Sequence, residues 1–175
     1  MPRTVLVVGG SGFVGGHIVN RLAAAGDRVV VPTRRRDNAR ALFLLPTVNV
    51  VETDVGDPRS LPRLAEGADA VVNLVGILNE AGGATFSRAH VEVTRNAIAA
   101  CKAAGVSRFV QMSALNAAAD GPSDYQRSKA EAEAAVRDSG LDWTIFQPSV
   151  IFGPGDSFLN MFAKLARILP VIALP

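Results

Sequence analysis

The sequence predicts an α/β fold, a doubly wound parallel sheet with helices on both faces. Short β-branched runs alternate with longer stretches of helical period, the pattern of repeated βαβ units. Most of those runs are apolar on consecutive residues, as strands covered on both faces require. A glycine cluster stands directly between the first run and the first helical stretch. With 175 residues, 49% of them hydrophobic, the chain has enough material for one domain with a core and little for a second.

The first strand is predicted over Thr4–Val8 and the first helix over Gly12–Ala25, stopped by Gly26. A second strand, Arg28–Pro32, leads to a helix over Asn38–Leu45 with Asp37 as its N-cap. After the strand Val48–Glu52, Asp57-Pro58 reads as an N-cap followed by proline at the first helical position. The helix Arg59–Glu66 then ends at Gly67. The strand Ala70–Val75 precedes a long helix, Phe86–Ala104. There Phe86, His90, Val93, Ala97, Cys101 and Ala104 recur at three- and four-residue steps before Gly105. The strand Arg108–Ser113 is followed by Ser123, with Gln126 three residues on, a capping-box pattern opening a helix that runs to Gly140. The strand Thr144–Gln147 and an amphipathic helix over Phe158–Leu169 complete the series.

Composition excludes several functions. Lys and Arg total 18 against 16 acids, a net charge of +2 that gives no case for nucleic acid. A single cysteine removes disulfide frameworks and Cys-based zinc clusters and suits a reducing compartment. No stretch approaches the ~18 apolar residues of a membrane span, and the chain opens on a strand without a charged leader. A cytoplasmic protein without a metal centre is the expectation. The apolar end, Pro170–Pro175, reads either as a natural terminus packed on the core or as the edge of a fragment.

Gly9-Gly-Ser-Gly-Phe-Val-Gly15 satisfies Gly-x-x-Gly-x-x-Gly at 9, 12 and 15 and Gly-x-Gly-x-x-Gly at 10, 12 and 15. Between a strand and a helix this is a dinucleotide loop. A tight turn needs glycine, a pyrophosphate needs bare backbone, and the helix N-terminus offers amide groups to phosphate. Gly9, Gly10, Ser11, Gly12, Phe13, Val14 and Gly15 are therefore assigned to the cofactor. No Gly-Lys-Ser/Thr follows, which argues against a nucleoside triphosphate loop. After the second strand, where an acid ordinarily holds the ribose diol, stands Thr33-Arg-Arg-Arg36. Cations there suit a 2′-phosphate, so NADP(H) is preferred and NAD(H) allowed. Arg34 is the first choice, and Arg35 takes its role if the strand ends one residue later. Asp54-Val55, after the third strand, lies beside the adenine.

Tyr125 is the only tyrosine, and Lys129, one of only three lysines, follows four residues later. On a helix the two share a face. An ammonium beside the phenol would lower its pKa and fit it for proton transfer during hydride transfer. Ser113, at the carboxyl end of the fifth strand, is placed to hydrogen-bond the same substrate oxygen. His17 reads as packing or a cap neighbour, His90 as a side chain that can face the site, Cys101 as a core thiol, and Trp143 as packing under a neighbouring region.

Gly9-x-x-Gly12-x-x-Gly15, Asn73-Leu-Val-Gly76, Ser113, Tyr125-x-x-x-Lys129 and Gln147-Pro-Ser-x-x-Phe-Gly-Pro154 together resemble the extended and atypical short-chain dehydrogenase/reductases, the NAD-dependent epimerase/dehydratase type. Asn73–Leu78, His90-Val-Glu-Val-Thr-Arg-Asn96 and Met112-Ser-Ala-Leu-Asn-Ala117 are most similar to one branch. That branch holds the nucleotide-binding accessory subunit of respiratory complex I and its bacterial relatives. The resemblance implies a Rossmann domain over residues 1–175 and a substrate-binding region beyond Pro175. It also implies a catalytic Ser113, Tyr125 and Lys129, with Lys129 touching the nicotinamide ribose as well. Leu74, Val75 and Gly76 would run alongside the nicotinamide, and Pro148 would close over it. Two departures stand out: His90 replaces the family's usual Asn, and Ser113 lies only 12 residues before Tyr125. Two functions are thus open. One is an NADP(H)-preferring oxidoreductase or epimerase-like enzyme acting on a small molecule at a carbonyl or hydroxyl carbon. The other is a non-catalytic dinucleotide-binding accessory or sensor subunit in a homo-oligomer or larger complex.

Overall fold

A computed structural model of the chain describes residues 1–156; the expected helix Phe158–Leu169 and the apolar end Pro170–Pro175 lie outside the described residues. Six strands form the sheet: β1 (Thr4–Val8), β2 (Arg28–Thr33), β3 (Val48–Glu52), β4 (Ala70–Asn73), β5 (Arg108–Met112) and β6 (Asp142–Phe146). Their order is β3-β2-β1-β4-β5-β6, and every neighbouring pair is parallel. The chain reverses direction across the sheet between β1 and β4, the switch point at which such sheets bind ligands outside their carboxyl ends.

Helices α1 (Phe13–Ala24), α2 (Leu61–Ala65), α3 (Val93–Ala104) and α4 (Asp124–Arg137) connect the strands. They are joined by a 3-10 segment over Arg36–Leu44 and a π-helical turn over Ser87–Glu92. Strand alternation in β1 sorts the core into two layers. Leu6 and Val8 pack with Leu61, Val93, Ala97, Cys101, Phe109 and Val136 beneath α2, α3 and α4. Val5 and Val7 pack with Val19, Val29, Val31, Ala39 and Leu42 beneath α1 and the 3-10 segment. Cys101 is a buried free thiol, as its stripe predicted. Trp143 and Phe146 on the edge strand β6 remain 39% and 54% exposed.

The differences from expectation are local and have causes. Asp57 accepts from the Arg59 amide at 3.0 Å, the bond expected of an N-cap, but the turn it closes precedes the helix, which starts later, at Leu61, after Ser60. Asp37 does not cap its segment. It lies inside the first turn, paired with Arg40 at 2.8 Å, and the segment is 3-10 rather than α. β4 stops at Asn73, short of Val75, because the Val75 amide turns to the Asn73 side chain. The long helix expected over Phe86–Ala104 opens with the π-helical turn, while its end at Gly105 has the left-handed φ of 71° that glycine allows. The Ser123–Gln126 capping box is present in full.

Candidate functional site

A cleft of about 390 Å³ runs along the carboxyl ends of β1 to β4. Its first wall is the glycine loop. A Cβ on Gly9 (φ +84°) would lie 3.1 Å from the backbone of Leu74 and Val75, so only glycine lets the loop approach β4. A Cβ on Gly15 would lie 2.3 Å from the Gly9 carbonyl oxygen, so α1 rests on the loop only with glycine there. Gly10 faces the other way: its missing side chain makes room for Val31, and it does not line the cleft. At Gly12 the nearest neighbour of an added Cβ is 3.3 Å away, and this residue does face the cleft, with Ser11 beside it. Gly12 is also the N-cap of α1, with no capping side chain and no acid in the first turn, which leaves amide groups and the positive dipole end for an anion. Bare backbone at 9 and 12 with a positive helix end beside it fits a pyrophosphate. Phe13 and Val14 do not line the cleft. Phe13 packs instead under residues 153–155, and the His17 Nε2–H donates to the Pro154 carbonyl at 3.1 Å.

The second wall is the end of β2. Thr33 and Arg34 line the cleft together with Asn38. Arg35 is exposed but lies outside the lining, and Arg36 stacks over the Phe43 ring at 5.1 Å. The strand runs to Thr33, one residue past the expected Pro32, yet it is Arg34 and not Arg35 that lines the cleft. At the end of β3, Asp54 and Val55 line the cleft. Asn96 donates to the Val55 and Gly56 carbonyls at 3.2 Å each, which fixes that loop. Arg88, which sequence reasoning missed, reaches across from the π-helical turn to Asp54 at 3.7 Å and also lines the cleft.

The third wall is the segment 74–77 after β4. It is anchored from below by Asn73, which is fully buried and donates to Thr94 Oγ1 and Gln111 Oε1 at 3.0 Å each. Leu74, Val75 and Gly76 line the cleft. Behind Gly76 lies a cluster of side chains. A Cβ on Gly76 would lie 3.1 Å from Lys129 Nζ and 3.6 Å from His90 Nε2. Lys129 is 4% exposed, and its Nζ lies over the Tyr125 ring, 5.9 Å from the centroid. Tyr125 is flanked edge-on by His90 and Phe86. One turn beyond Lys129, Glu133 is buried and held by Arg137 at 2.8 Å and Gln147 at 2.7 Å.

The electrostatics differ from expectation at Tyr125. Its phenol is pushed up, not down: burial disfavours the phenolate, and the ammonium sits over the ring face. The same burial pulls Lys129 down to about 8, with Glu133 opposing. His90 is held down at about 4 by burial and by Lys129. Ser113 is 5% exposed, and its hydroxyl has no hydrogen-bond partner, so it is bonded to neither Tyr125 nor Lys129. Backbone bonds from Ser113 to Phe146 and from Leu115 to Pro148 continue the β5–β6 pairing, and Pro148 itself is outside the cleft lining.

A parallel sheet with this strand order and a glycine-lined cleft at its switch point defines a nucleotide-binding α/β protein of the Rossmann type. The chain belongs to the NAD(P)H-binding family, whose model matches residues 9–155. It is 37% identical to the ceramide reductase of Caulobacter vibrioides over 97% of its own length and 54% of that protein. It is 35% identical to subunit 9 of the NADH dehydrogenase [ubiquinone] 1 alpha subcomplex of mouse mitochondria, over 94% of this chain and 45% of that one. The chain thus spans about half the length of the curated relatives it matches. The Bordetella bronchiseptica enzyme WbmH, solved with NAD+, shares the fold with a TM-score of 0.78 and 23% identity, over 95% of this chain and 63% of that one. No helix among the described residues is long and apolar enough to cross a membrane.

Proposed function

We propose that the protein is an NADP(H)-preferring oxidoreductase or epimerase-like enzyme acting at a carbonyl or hydroxyl carbon of a small molecule, with Ser113, Tyr125 and Lys129 as its catalytic set. The observation that carries this reading is the pairing of half-buried Tyr125 with buried Lys129 on one face of α4, with Lys129 Nζ directly behind Gly76, which lines the cleft. When bound, the dinucleotide supplies or accepts the hydride. Tyr125, held protonated by its burial, donates a proton to the substrate oxygen in the reducing direction and takes it back in the other. The ammonium of Lys129 favours the transient phenolate and, in the resemblance stated above, also touches the nicotinamide ribose. The Ser113 hydroxyl, buried and without a partner, is a donor in want of an acceptor, and a substrate oxygen would satisfy it.

Gly9, Ser11 and Gly12 would hold the pyrophosphate, with Gly10 and Gly15 shaping the loop from behind. Arg34 would meet the 2′-phosphate, Asp54 and Val55 the adenine, and Leu74, Val75 and Gly76 the nicotinamide, with Pro148 closing over it. Residues 1–175 form the dinucleotide domain in this reading, and a further region of the longer protein selects the substrate. The buried lone thiol suits the cytoplasm or another reducing compartment. The name of the Caulobacter relative, a reductase, supports the enzymatic reading.

The mouse relative supports a second one, a non-catalytic dinucleotide-binding subunit of a larger assembly. Mass spectrometry of the nucleotide that co-purifies, followed by redox turnover with aldehydes, ketones and sugar nucleotides, separates the two. NADP(H) with turnover supports the enzyme, and a bound dinucleotide without turnover supports the subunit. Absence of any dinucleotide affinity overturns both.

A further inference from the structure

The proposed chemistry leaves one buried polar group unused. His90 is 1% exposed, and both nitrogens of its ring are engaged. The Ile77 amide can only donate, so Nε2, 3.1 Å away, is the accepting nitrogen. The ring proton therefore sits on Nδ1 and is donated to Ser128 Oγ at 2.9 Å, while the Ser128 hydroxyl donates to the Tyr125 carbonyl at 2.9 Å. One end of the imidazole thus holds the backbone after β4, and the other holds the first turn of α4. Its faces and edges are filled as well, by Phe86 stacked at 5.5 Å and by Tyr125 edge-on at 5.4 Å.

We propose that His90 is a positioning residue: it sets the spacing between the Gly76–Ile77 backbone and the Tyr125–Lys129 pair, and so places the nicotinamide half of a bound dinucleotide against the proton-transfer group. The inference rests on the dinucleotide reading of the cleft. Three observations favour positioning over packing alone. The two segments joined are far apart in sequence, 13 residues from His90 to Ile77 and 38 to Ser128, and no backbone bond joins them. His90 and Lys129 converge on the same bare Cα, that of Gly76, which lines the cleft. The ring is presented by a π-helical turn, a widening that redirects side chains and recurs at functional sites. The groups facing the ring are Phe86 from the turn itself, Ser128, Tyr125 and Lys129 from α4, and the backbone at 76–77; Lys129 is the charge among them. A proton added to Nε2 would confront the Ile77 amide, so the clamp works only as the neutral ring that burial and Lys129 maintain.

The test compares two ligands on three proteins. Calorimetry measures NADPH, which spans the cleft in this reading, and 2′,5′-ADP, which carries the adenosine half alone, on the parent, His90→Leu and His90→Gln. Leucine fills the space but leaves the Ile77 amide without its acceptor and Ser128 Oγ without its donor, whereas glutamine offers an acceptor and a donor on one amide. His90→Leu should weaken NADPH about tenfold or more and leave 2′,5′-ADP nearly unchanged, and His90→Gln should recover most of the loss. In the parent, nitrogen NMR of the imidazole should show the Nδ1–H tautomer. Loss of both ligands alike, loss of neither, or an Nε2–H tautomer in the parent overturns the positioning role. A parent that binds neither ligand overturns the dinucleotide reading instead.

Discussion

At the β1 end of the cleft the surface is bare backbone. Gly9 and Gly12 present no side chain, and Gly10 and Gly15 keep neighbouring elements close by having none. At the β4 end it is built of side chains, with Lys129, His90 and Tyr125 from two elements converging behind Gly76. In the proposed reading the first end would meet an anion with amide dipoles and needs no titratable group. The second gathers three titratable groups, His90 and Lys129 buried and Tyr125 half-buried, and shifts all of them. In that reading the anion is held at one end and the proton moves at the other, so substitutions in the glycine loop and at Tyr125 should separate affinity from turnover.

The largest effect is expected at the side-chain end. Tyr125→Phe should lower turnover by about 10²–10⁴-fold, the ordinary contribution of a positioned proton donor, with cofactor affinity close to that of the parent. Lys129→Met should damage both kcat and cofactor KM, because its ammonium lies beside Gly76 as well as over the phenol ring. Steady-state kinetics with a reducible carbonyl substrate reads both. Equal turnover of Tyr125→Phe and the parent removes Tyr125 from the proton transfer, and a parent that binds the dinucleotide without turnover favours the accessory-subunit reading.

At the backbone end two glycines should fail differently. Gly12→Val places a branched side chain in the cleft with little protein to clash against, so the fold should survive while dinucleotide affinity falls by roughly 100-fold or more. Gly15→Ala drives a Cβ to 2.3 Å from a carbonyl oxygen. That should destabilise the protein itself by about 1–3 kcal/mol, the usual cost of overpacking. Thermal melts with and without NADPH distinguish them. A Gly12→Val protein that keeps its affinity removes the pyrophosphate from this loop.

The same contrast explains how much was legible in the sequence. The glycine loop, the six strands and the Ser123 cap are local patterns, and local patterns survive folding. Tyr125 and Lys129 were found because helical spacing is local too. The shift of the phenol was misjudged because burial, a tertiary property, outweighs a cation over the ring face. His90 showed a faint signal, standing where the family carries Asn, but its partners Ile77 and Ser128 come from other elements. The helix after Asp57-Pro58 begins later than the pattern implies, because the turn that Asp57 closes on the Arg59 amide precedes it.

Burial at the side-chain end also predicts a pH dependence of stability. His90 is lowered from 6.5 to about 4, so between these values the unfolded chain binds more protons than the folded one. Stability is then fully present above about 6.5 and is lost as pH falls towards 4. Asp27 and Asp57, lowered by their contacts with Arg3 and Arg59, act in the same direction but below their ordinary 3.8. Lys129, lowered from 10.5 to about 8, makes stability rise with pH across that higher window. Urea midpoints measured at pH 4.5 and 7 should therefore differ, and His90→Gln should reduce the difference. An unchanged slope in that variant means the titration lies elsewhere.

The smallest effect, and the one that sharpens the backbone end, is cofactor choice. Thr33 is followed by three arginines before the first acid, Asp37. Only Arg34 of the three lines the cleft, while Arg36 is occupied by Phe43. A charge-assisted bond to phosphate contributes about 1.5–3 kcal/mol. Arg34 is exposed, so screening should bring the preference for NADPH over NADH to about tenfold. Fluorescence titration of both reduced cofactors at two salt concentrations, on the parent, Arg34→Ala and Arg35→Ala, reads this directly. Arg34→Ala should abolish the preference, Arg35→Ala should leave it, and added salt should shrink it. An NADPH preference that survives both substitutions would move the 2′-phosphate contact to another cation of the cleft, and Arg88, 3.7 Å from Asp54 on the opposite wall, is the one the lining offers.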